Sequence, residues 1–337
     1  MARSTIIDIA QKLNLSPSTI SRALHDSPEI SKTTKDKVIK TAEELNYFPN
    51  DLARSLIHKR TNTIGVIVPE ITHNFFSTAI SGIEGVAYNA GYVIMLCESN
   101  ESYDREVINT KALISNQVAG LIVSISQNTN KYSHFEYLKR VGIPLVFFDR
   151  VCENINSSKV VVDDHAAAFK AVEYLIKKGY KHIAHLGGTE QLSISRDRFA
   201  GYLDALSTFG LPFDKELVYF GGFHEPDGVK GMKWLLDLNK QPDAIFAVND
   251  PVAIGAYEEI KNRALRIPQD IAVIGFSNNP ISALINPPLT TIEQPAYELG
   301  KRAASVLLEQ IEAKTNKILY NPVREILETK LIIRASA

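Results

Sequence analysis

The sequence predicts two parts: an all-α headpiece with a helix-turn-helix, and an α/β region of two lobes, each with a doubly wound parallel sheet. Glycine is absent from residues 1–64 and frequent afterwards. Before residue 60 the apolar residues recur at helical spacing, whereas from Ile64 short apolar runs alternate with longer amphipathic segments. This alternation is typical of parallel strands covered by helices. The change of composition places a domain boundary at residues 59–62.

The first helix is expected to begin after Thr5, whose hydroxyl can cap it, with Asp8 in the first turn. Its inward stripe has the i, i+3, i+4, i+7 spacing of a helix and consists of Ile6, Ile9, Ala10 and Leu13. Asn14 tolerates the left-handed conformation in which many helices end. A second helix then begins, with Ser16 as N-cap and Pro17 at the first helical position.

The second helix has an inward stripe of Ile20, Ala23 and Leu24. Its outward face is small and rich in hydroxyls, and consists of Pro17, Ser18, Thr19, Ser21 and Arg22. In a helix-turn-helix the second helix enters the major groove of DNA, where arginine bonds guanine and hydroxyls contact bases or phosphates. The predicted DNA contacts are these five residues together with Thr5 and Ser16. An ordinary surface hairpin of two helices is the alternative interpretation.

A third helix and a short segment complete the headpiece. Ser31 is expected to cap the helix, whose inward stripe is Val38, Ala42 and Leu45 and whose surface carries Lys32, Lys35, Lys37 and Lys40. Residues 51–56 are predicted to form a short helical segment that Asn50 can cap. Isolated helices below about 12 residues are marginal in water. We therefore expect this segment to fold only against a partner and DNA.

Composition limits the remaining function classes. The net charge is −1, but residues 1–60 carry an excess of three positive charges, which modestly supports nucleic-acid binding. The two cysteines are Cys97 and Cys152; one disulfide is possible, but a reducing compartment is favoured. There is no apolar run of about 18 residues and no signal-peptide pattern. We expect a cytoplasmic protein.

The apolar runs after residue 60 are predicted as buried strands of the two lobes. The first lobe has strands Ile64–Val68, Val93–Cys97, Leu121–Val123 and Pro144–Phe148, with helices near 75–90, 104–116 and 133–141. The second has strands Val160–Val162, Ile183–Leu186, Val218–Phe220, Ala244–Val248 and Ile271–Gly275, with helices near 166–178, 196–209, 226–238 and 251–262. Ligands of such sheets bind at the carboxyl ends of strands, so the cleft between the lobes is the predicted pocket.

Enzymatic motifs are missing from the sequence. It contains no G-x-G-x-x-G after a strand, no phosphate-binding G-x-x-x-x-G-K-[ST] and no G-x-S-x-G. His165, His182 and His185 are too irregularly spaced for a metal site, and ordinary surface or core roles are favoured for them. We therefore expect no catalytic residues, no cofactor and no metal ligands.

The chain resembles the lactose/galactose repressor family of transcription regulators. The resemblance is carried by TIIDIAQKLNLSPSTISRAL at 5–24, ELNYFPNDLARSL at 44–56 and TIGVIVPEITHNFF at 63–76. It continues through Phe148–Arg150, Arg198–Tyr202, Asn249–Gly255 and Pro288–Ile292. It implies a periplasmic-binding-protein-like effector domain behind the DNA-binding domain. The chain is then expected to cross back near residue 292, so that a helix at 296–313 completes the first lobe and the last strand, Leu331–Ile333, returns to the second.

The expected domains follow from these observations. They are a DNA-binding domain at 1–49, a hinge helix and linker at 50–60, and an effector-binding and dimerisation domain at 61–337. Within the last, lobe one spans about 61–159 and 293–322, and lobe two about 160–292 and 323–337.

Candidate effector contacts lie where the predicted strands end. The predicted set is Phe75, Phe76, Ser124, Asp149, Arg198, Phe223, Asn249 and Ser277; the resemblance places Phe75, Asp149, Arg198, Phe223 and Asn249 at effector-contact positions. Charged groups, amides and aromatic rings suit a small polar ligand such as a sugar. Ordinary structural roles are equally open for four residues near the site: Phe76 and Phe148 as core, Asp250 as a helix cap and Arg150 as a solvated loop residue.

Ser277 departs from the family pattern, which usually has an aspartate after this strand. A serine carries no charge and both donates and accepts hydrogen bonds. The exchange predicts an effector different from neutral sugars or purines, for instance one with a carboxylate or phosphate.

The resemblance implies a ligand-responsive repressor of carbohydrate-utilisation genes, binding a palindromic operator as a homodimer and switched by a sugar or sugar derivative. Two copies of the hinge segment would meet on DNA, where Asn50, Ala53 and Leu56 make contacts and the last two wedge between base steps of the minor groove. An exported solute-binding receptor with the same two-lobed fold is the alternative. The headpiece and the missing signal-peptide pattern argue against it.

Overall fold

A computed structural model describes residues 4–24, 26–47 and 61–337. The chain divides into two compact units, Met1–Thr61 and Asn62–Ala337. The predicted hinge contacts Asn50, Ala53 and Leu56 lie outside the described residues. Among the helices that the structure describes, none has the length and apolar character needed to cross a membrane. Cys97 and Cys152 are both free, so the disulfide considered above is not formed.

The first unit is a three-helix headpiece of α1 (Ile6–Leu13), α2 (Pro17–Leu24) and α3 (Lys32–Glu44). Thr5 and Asp8 form a reciprocal capping box at the start of α1, and Asn14 ends it at φ 51°. Ser16 accepts the Thr19 N–H at 3.1 Å. These caps confirm the predicted helix ends. The inward stripes meet in one small core, centred on the fully buried residues Ile9, Ile20 and Val38.

The second unit contains two six-stranded sheets. The first sheet is parallel throughout, with the order β11-β5-β4-β3-β1-β2. Its strands are β1 (Thr63–Val68), β2 (Val93–Glu98), β3 (Gly120–Val123), β4 (Leu145–Phe148), β5 (Ser158–Val162) and β11 (Arg324–Leu327). Its helices are α4 (Asn74–Asn89), α5 (Tyr103–Ser115), α6 (Ser133–Arg140) and α11 (Ala296–Thr315).

The second sheet has the order β12-β10-β9-β8-β6-β7, and only its edge strand β12 is antiparallel. Its strands are β6 (Ile183–Gly187), β7 (Val218–Phe220), β8 (Ala244–Ala247), β9 (Ala272–Ser277), β10 (Thr290–Glu293) and β12 (Lys330–Ile332). Its helices are α7 (Asp164–Lys177), α8 (Ser193–Thr208), α9 (Glu225–Leu236) and α10 (Asp250–Asn262). Buried apolar residues dominate the inner strands of both sheets, as parallel strands covered on both faces require, whereas the edge strands β2, β7, β11 and β12 are partly exposed.

Two strands lie in the other lobe from the one predicted. β5 pairs in parallel with β4, with Val146 opposite Ser158, so the run Val160–Val162 belongs to the first sheet and not to the second. β11 pairs with β5 and is also part of the first sheet, although the residues after 322 were assigned to lobe two. Hydrophobic runs identify a strand but carry no information about which of two similar sheets it joins.

The crossing strands and helix near the C-terminus follow the prediction. α11 packs on α4 and on strands of the first sheet, and β12 pairs with β10 of the second, with Leu331 opposite Ile292. Two glycines permit the close approach of α4 and α11, since a Cβ on Gly82 would overlap the carbonyl of Tyr297 and one on Gly300 the carbonyl of Ala79.

Candidate functional site

A solvent-open cavity with about 320 Å³ of empty space lies between the two sheets, at the carboxyl ends of their strands. Seven of the eight predicted effector residues line it: Phe75, Phe76, Asp149, Arg198, Phe223, Asn249 and Ser277. Four further lining residues were outside the predicted set: His73, Arg150, Ile194 and Gln294. The part of this space that a water-sized sphere can enter is only about 30 Å³, well below the range of about 300–1,000 Å³ for small-molecule sites.

Arg198 is held in a fixed position before any ligand arrives. It lies in the second turn of α8, with a side chain that is only 3% exposed. Its Nε donates to Asp164 Oδ1 at 2.7 Å and its Nη1 to the Val248 carbonyl at 2.6 Å. The guanidinium carbon lies 3.7 Å from the ring centre of Phe276. Burial raises the pKa of Asp164 to about 6, and Arg198 opposes that increase.

Asp149 follows β4 and adopts a left-handed backbone conformation, with φ 56°. Its carboxylate is buried and accepts a long hydrogen bond, 3.4 Å, from Gln294. Burial raises the pKa of Asp149, and the nearby Arg150 and Arg198 oppose the increase. The carboxylate is therefore an under-used acceptor facing the cavity, well suited to a ligand hydroxyl.

Arg150 is buried, so the expectation of a solvated loop residue is wrong. Its side chain is 3% exposed and its Nη1 donates to Glu101 Oε1 at 2.7 Å. The guanidinium carbon lies 4.7 Å from the ring centre of Phe223 and 5.5 Å from that of Phe76, which are cation–π distances. Phe76 thus packs in the core and also lines the cavity, whereas Phe148 is fully buried.

Asn249 is the N-cap of α10, so the interpretation of Asp250 as the cap, one of the two left open, is wrong. Asn249 Oδ1 accepts the Val252 N–H at 2.9 Å, and its Nδ2 donates to the Phe223 carbonyl at 2.8 Å. Both ends of the amide are occupied, so Asn249 ties α10 to the segment that carries Phe223.

The Asp250 carboxylate instead holds the loop after β9. It accepts hydrogen bonds from the Asn279 N–H and the Ser282 hydroxyl, both at 2.7 Å, and from the Thr291 hydroxyl at 2.5 Å. Burial raises the pKa of Asp250 to about 6, against the effect of these bonds. The loop begins with Ser277, whose φ of 107° is rare for a residue with a side chain.

Ser124 is the predicted effector residue that does not line the cavity. It is fully buried after β3, and its hydroxyl has no hydrogen-bond partner among the described residues. The site residues were predicted from their positions after the carboxyl ends of strands. Gln294 directly follows β10 and meets the same criterion, although it was not predicted. No comparable signal marks Ile194 in the first turn of α8.

The predicted DNA-facing residues fall into two groups. Thr5 and Ser16 use their hydroxyls to cap α1 and α2. Pro17 and Ser18 are exposed, Thr19 and Ser21 are half-buried, and all four lie on one side of α2. Arg22 is 61% exposed in its side chain and pairs with Glu29 at 3.0 Å. The pair lies in solvent, so it contributes little and the arginine is free to change partner.

The histidines considered at the sequence level have ordinary partners. His165 contacts Asp204 at 2.8 Å, and His185 is buried and bonds the Phe246 carbonyl at 3.0 Å. Across residues 4–24, 26–47 and 61–337, a single group of three side chains has the types and spacing to hold a metal ion, namely Glu70, His73 and His224. More than 150 residues separate His224 from the others, which is why spacing in the sequence did not identify the group.

The fold and the cleft define a class of protein: a two-lobed ligand-binding domain joined to a three-helix DNA-reading headpiece. The model of the lacI family of bacterial regulatory proteins matches residues 5–50, and that of the periplasmic binding protein-like domain matches residues 172–337. The HTH-type transcriptional repressor CytR of Escherichia coli K12 is 34% identical over 333 residues, covering 99% of this chain and 96% of that protein.

Two solved structures extend the similarity. The complex of the transcriptional regulator CelR with cellobiose has 27% identity and a TM-score of 0.76, covering 99% of this chain and all of that one. A LacI family regulator from Enterococcus faecium with bound ribose has 30% identity and a TM-score of 0.72, covering 81% of this chain and 98% of that one. The chain belongs to the lacI family of bacterial regulatory proteins. It is a DNA-binding transcription regulator and not an enzyme.

Proposed function

We propose that the chain is a cytoplasmic repressor of carbohydrate-utilisation genes, which binds a palindromic operator as a homodimer and responds to a sugar in the cleft between its lobes. Support comes from the similar repressor CytR and from two similar regulators, one solved with cellobiose and one with ribose. The regulatory-protein match at residues 5–50 disfavours the alternative of an exported solute receptor.

The observation that carries the proposal is the lining of the cleft. Buried polar groups already fixed by other protein contacts, above all Arg198 and Asn249, lie beside the rings of Phe75, Phe76 and Phe223. Preorganised polar groups orient hydroxyls, and aromatic rings cover the apolar faces of a sugar ring.

The charge balance of the cavity favours a neutral ligand over the acidic one expected from Ser277. Arg198 is paired with Asp164 and Arg150 with Glu101, each at 2.7 Å. Asp149 adds a carboxylate that no arginine bonds directly among the described contacts. Neither lining arginine is left over to neutralise a carboxylate or phosphate, so an acidic ligand would meet Asp149 without a compensating cation.

Calorimetry on the full chain tests this choice. The probes are ribose and cellobiose as neutral sugars, and gluconate and ribose 5-phosphate as acidic ones. We expect measurable binding from the neutral set and at least tenfold weaker binding from the acidic set. Tighter binding of the acidic probes would contradict the neutral assignment and restore the interpretation drawn from Ser277.

The proposed DNA contacts are the exposed side of α2 and the hinge residues. Arg22 would leave Glu29 to bond a guanine, while Pro17 and Ser18 face the major groove. Leu56 and Ala53 would wedge into the minor groove at the operator centre. Leu56→Ala should then weaken operator binding in a mobility-shift assay and leave sugar affinity unchanged. Unchanged operator affinity would contradict the wedge.

The switch needs a ligand that distinguishes two forms of the lobes. A shift of the DNA-competent population from 1:99 to 99:1 requires about 5.5 kcal/mol of differential binding. The contacts that change with the lobe angle are those between residues of different sheets, such as Asp149 with Gln294 and Arg150 with Phe223.

A further inference from the structure

A cluster of three metal-binding side chains bridges the two lobes beside the cleft. Glu70 and His73 lie between β1 and α4 of the first lobe, and His224 lies directly before α9 of the second. One potential ligand atom from each residue lies within 4.8 Å of the other two. The imidazole rings of His73 and His224 are 5.8 Å apart and tilted by 50°. The group is therefore assembled only when both lobes are in place.

Two of the potential ligand atoms are buried and have no hydrogen-bond partner among the described residues. Glu70 is 8% exposed, and its Oε1 is one of these atoms, although His73 Nδ1 lies 3.3 Å away. The other is His73 Nε2. Burying a polar atom without a hydrogen bond is unfavourable, and a cation bound to such an atom would satisfy it.

We propose that Glu70, His73 and His224 bind a zinc-class divalent ion that ties the two lobes together. Two imidazoles and a carboxylate are ligands that Zn²⁺ accepts, with a fourth position left for water. The charged neighbours of His73 are Glu70, Glu225 and Arg150, and the guanidinium of Arg150 is already paired with Glu101. The two nearby carboxylates therefore favour a cation at this position.

The ion would link the two lobes. Glu70 Oε1 and His73 Nδ1 are already 3.3 Å apart, close to the roughly 3.4 Å between ligand atoms of a tetrahedral site with zinc–ligand bonds of about 2.0–2.2 Å. Because His224 stands on the opposite lobe from Glu70 and His73, coordination by all three residues would connect the lobes through the ion. His73 also lines the cavity, so the ion would lie next to any ligand there. Binding of the ion itself does not depend on the sugar proposed above.

Zinc titration of the untagged, chelator-treated full chain tests the site. Isothermal calorimetry is expected to give one Zn²⁺ per chain, with affinity at least tenfold weaker in His73→Ala, His224→Ala and the isosteric Glu70→Gln. His165→Ala is the matched control, because His165 is an exposed histidine of the second lobe that contacts Asp204. It should bind zinc as the wild type does.

Thermal unfolding provides the second measurement. Zinc should raise the melting temperature of the wild type and of His165→Ala, and not that of His224→Ala or Glu70→Gln. Absence of zinc binding in the wild type, or full affinity in His224→Ala, would overturn the proposal. If either histidine variant fails to fold, the Glu70→Gln result decides. A chain that responds to a sugar but binds no zinc leaves the proposed function intact and refutes only the metal site.

Discussion

Arg22 of the headpiece and Arg198 of the cleft are the same residue in opposite settings. The Arg22 side chain is 61% exposed and, among the described residues, pairs with a Glu29 side chain that is itself 67% exposed. Arg198 is 3% exposed and bonds both a buried carboxylate and a backbone carbonyl. An exposed ion pair is worth about 0–1 kcal/mol, so Arg22 can exchange its partner for DNA at little cost. Arg198 cannot leave Asp164 without stranding a buried charge.

The proposed DNA-binding surface of α2 is therefore loosely held before it binds, whereas the cleft is organised before a ligand binds. The side of α2 that we propose to face DNA has small exposed side chains and an arginine held only by an exposed ion pair. The cleft has groups whose rotamers are set by hydrogen bonds within the protein, so little ordering is left for the moment of ligand binding.

The largest effect is expected for Arg198→Ala. It leaves Asp164 buried without its cation, and removing one partner of a buried ion pair costs about 3–5 kcal/mol of folding free energy. Urea unfolding of the two-lobed unit measures this loss. The proposed change of operator affinity on adding sugar should also disappear, because Arg198 lines the cavity.

Two further variants make the stability result interpretable. Arg324→Ala breaks an exposed pair with Glu153, whose side chains are 46% and 48% exposed, and should cost no more than about 1 kcal/mol. Adding Asp164→Asn to Arg198→Ala should recover part of the lost stability, since no buried charge remains. A loss below about 1 kcal/mol for Arg198→Ala would show that its pair with Asp164 is not buried as described.

A pH-dependent effect is expected for Asp250→Asn. The pKa of Asp250 is about 6 in the folded chain against an ordinary value of 3.8, so folding favours the protonated form. Its stabilising contribution is complete below pH 4 and is lost as the pH rises through 6. The asparagine does not titrate, so the variant gains on the wild type across this window by up to about 3 kcal/mol, at about 1.4 kcal/mol per pKa unit.

Denaturant unfolding of both proteins from pH 4 to pH 7 measures that gain. Asp164, which is also raised to about 6, is present in both and cancels in the difference. A difference between the two proteins that stays constant over this range would show that Asp250 is ionised throughout.

The smallest effect concerns Arg22. Arg22→Ala should cost about 1–3 kcal/mol of binding to the preferred operator and relax the choice of base at one position. Its effect on stability should be below about 1 kcal/mol, because the pair with Glu29 is exposed. Glu29→Gln is the matched variant: it releases the arginine and should retain or tighten operator binding. Equal weakening by Arg22→Ala on all DNA sequences would assign Arg22 to a phosphate.

Local structure could be predicted from the sequence where a side chain hydrogen-bonds to backbone groups close to it in the chain. Thr5, Asn14 and Ser16 were identified as helix ends because capping depends on residues one to three positions away. Most strands were found for a similar reason, as short apolar runs between helical segments, but β10 and β11 were not predicted as strands. Most cavity residues were found because parallel strands end at one edge and bring their following residues together.

Contacts between segments that are far apart in the chain could not be predicted from the sequence. β5 was placed in the wrong lobe because both sheets are built from similar apolar runs. The residues of β11 were assigned to lobe two with the rest of 323–337, but they pair with β5 in the first sheet. The burial of Arg150 depends on Glu101, Phe76 and Phe223, which approach it only in the folded chain. The cluster of Glu70, His73 and His224 likewise arises from the meeting of the lobes.

We propose that a ligand in the cleft changes the affinity of the headpiece for operator DNA. The direct measurement is the operator affinity of the full chain, with and without the sugar that binds most tightly in calorimetry. The operator is a palindrome selected by the chain from a random DNA pool. We predict a change of at least tenfold in the dissociation constant when the sugar is saturating. Occupancy of the cleft with an unchanged operator dissociation constant would contradict the account.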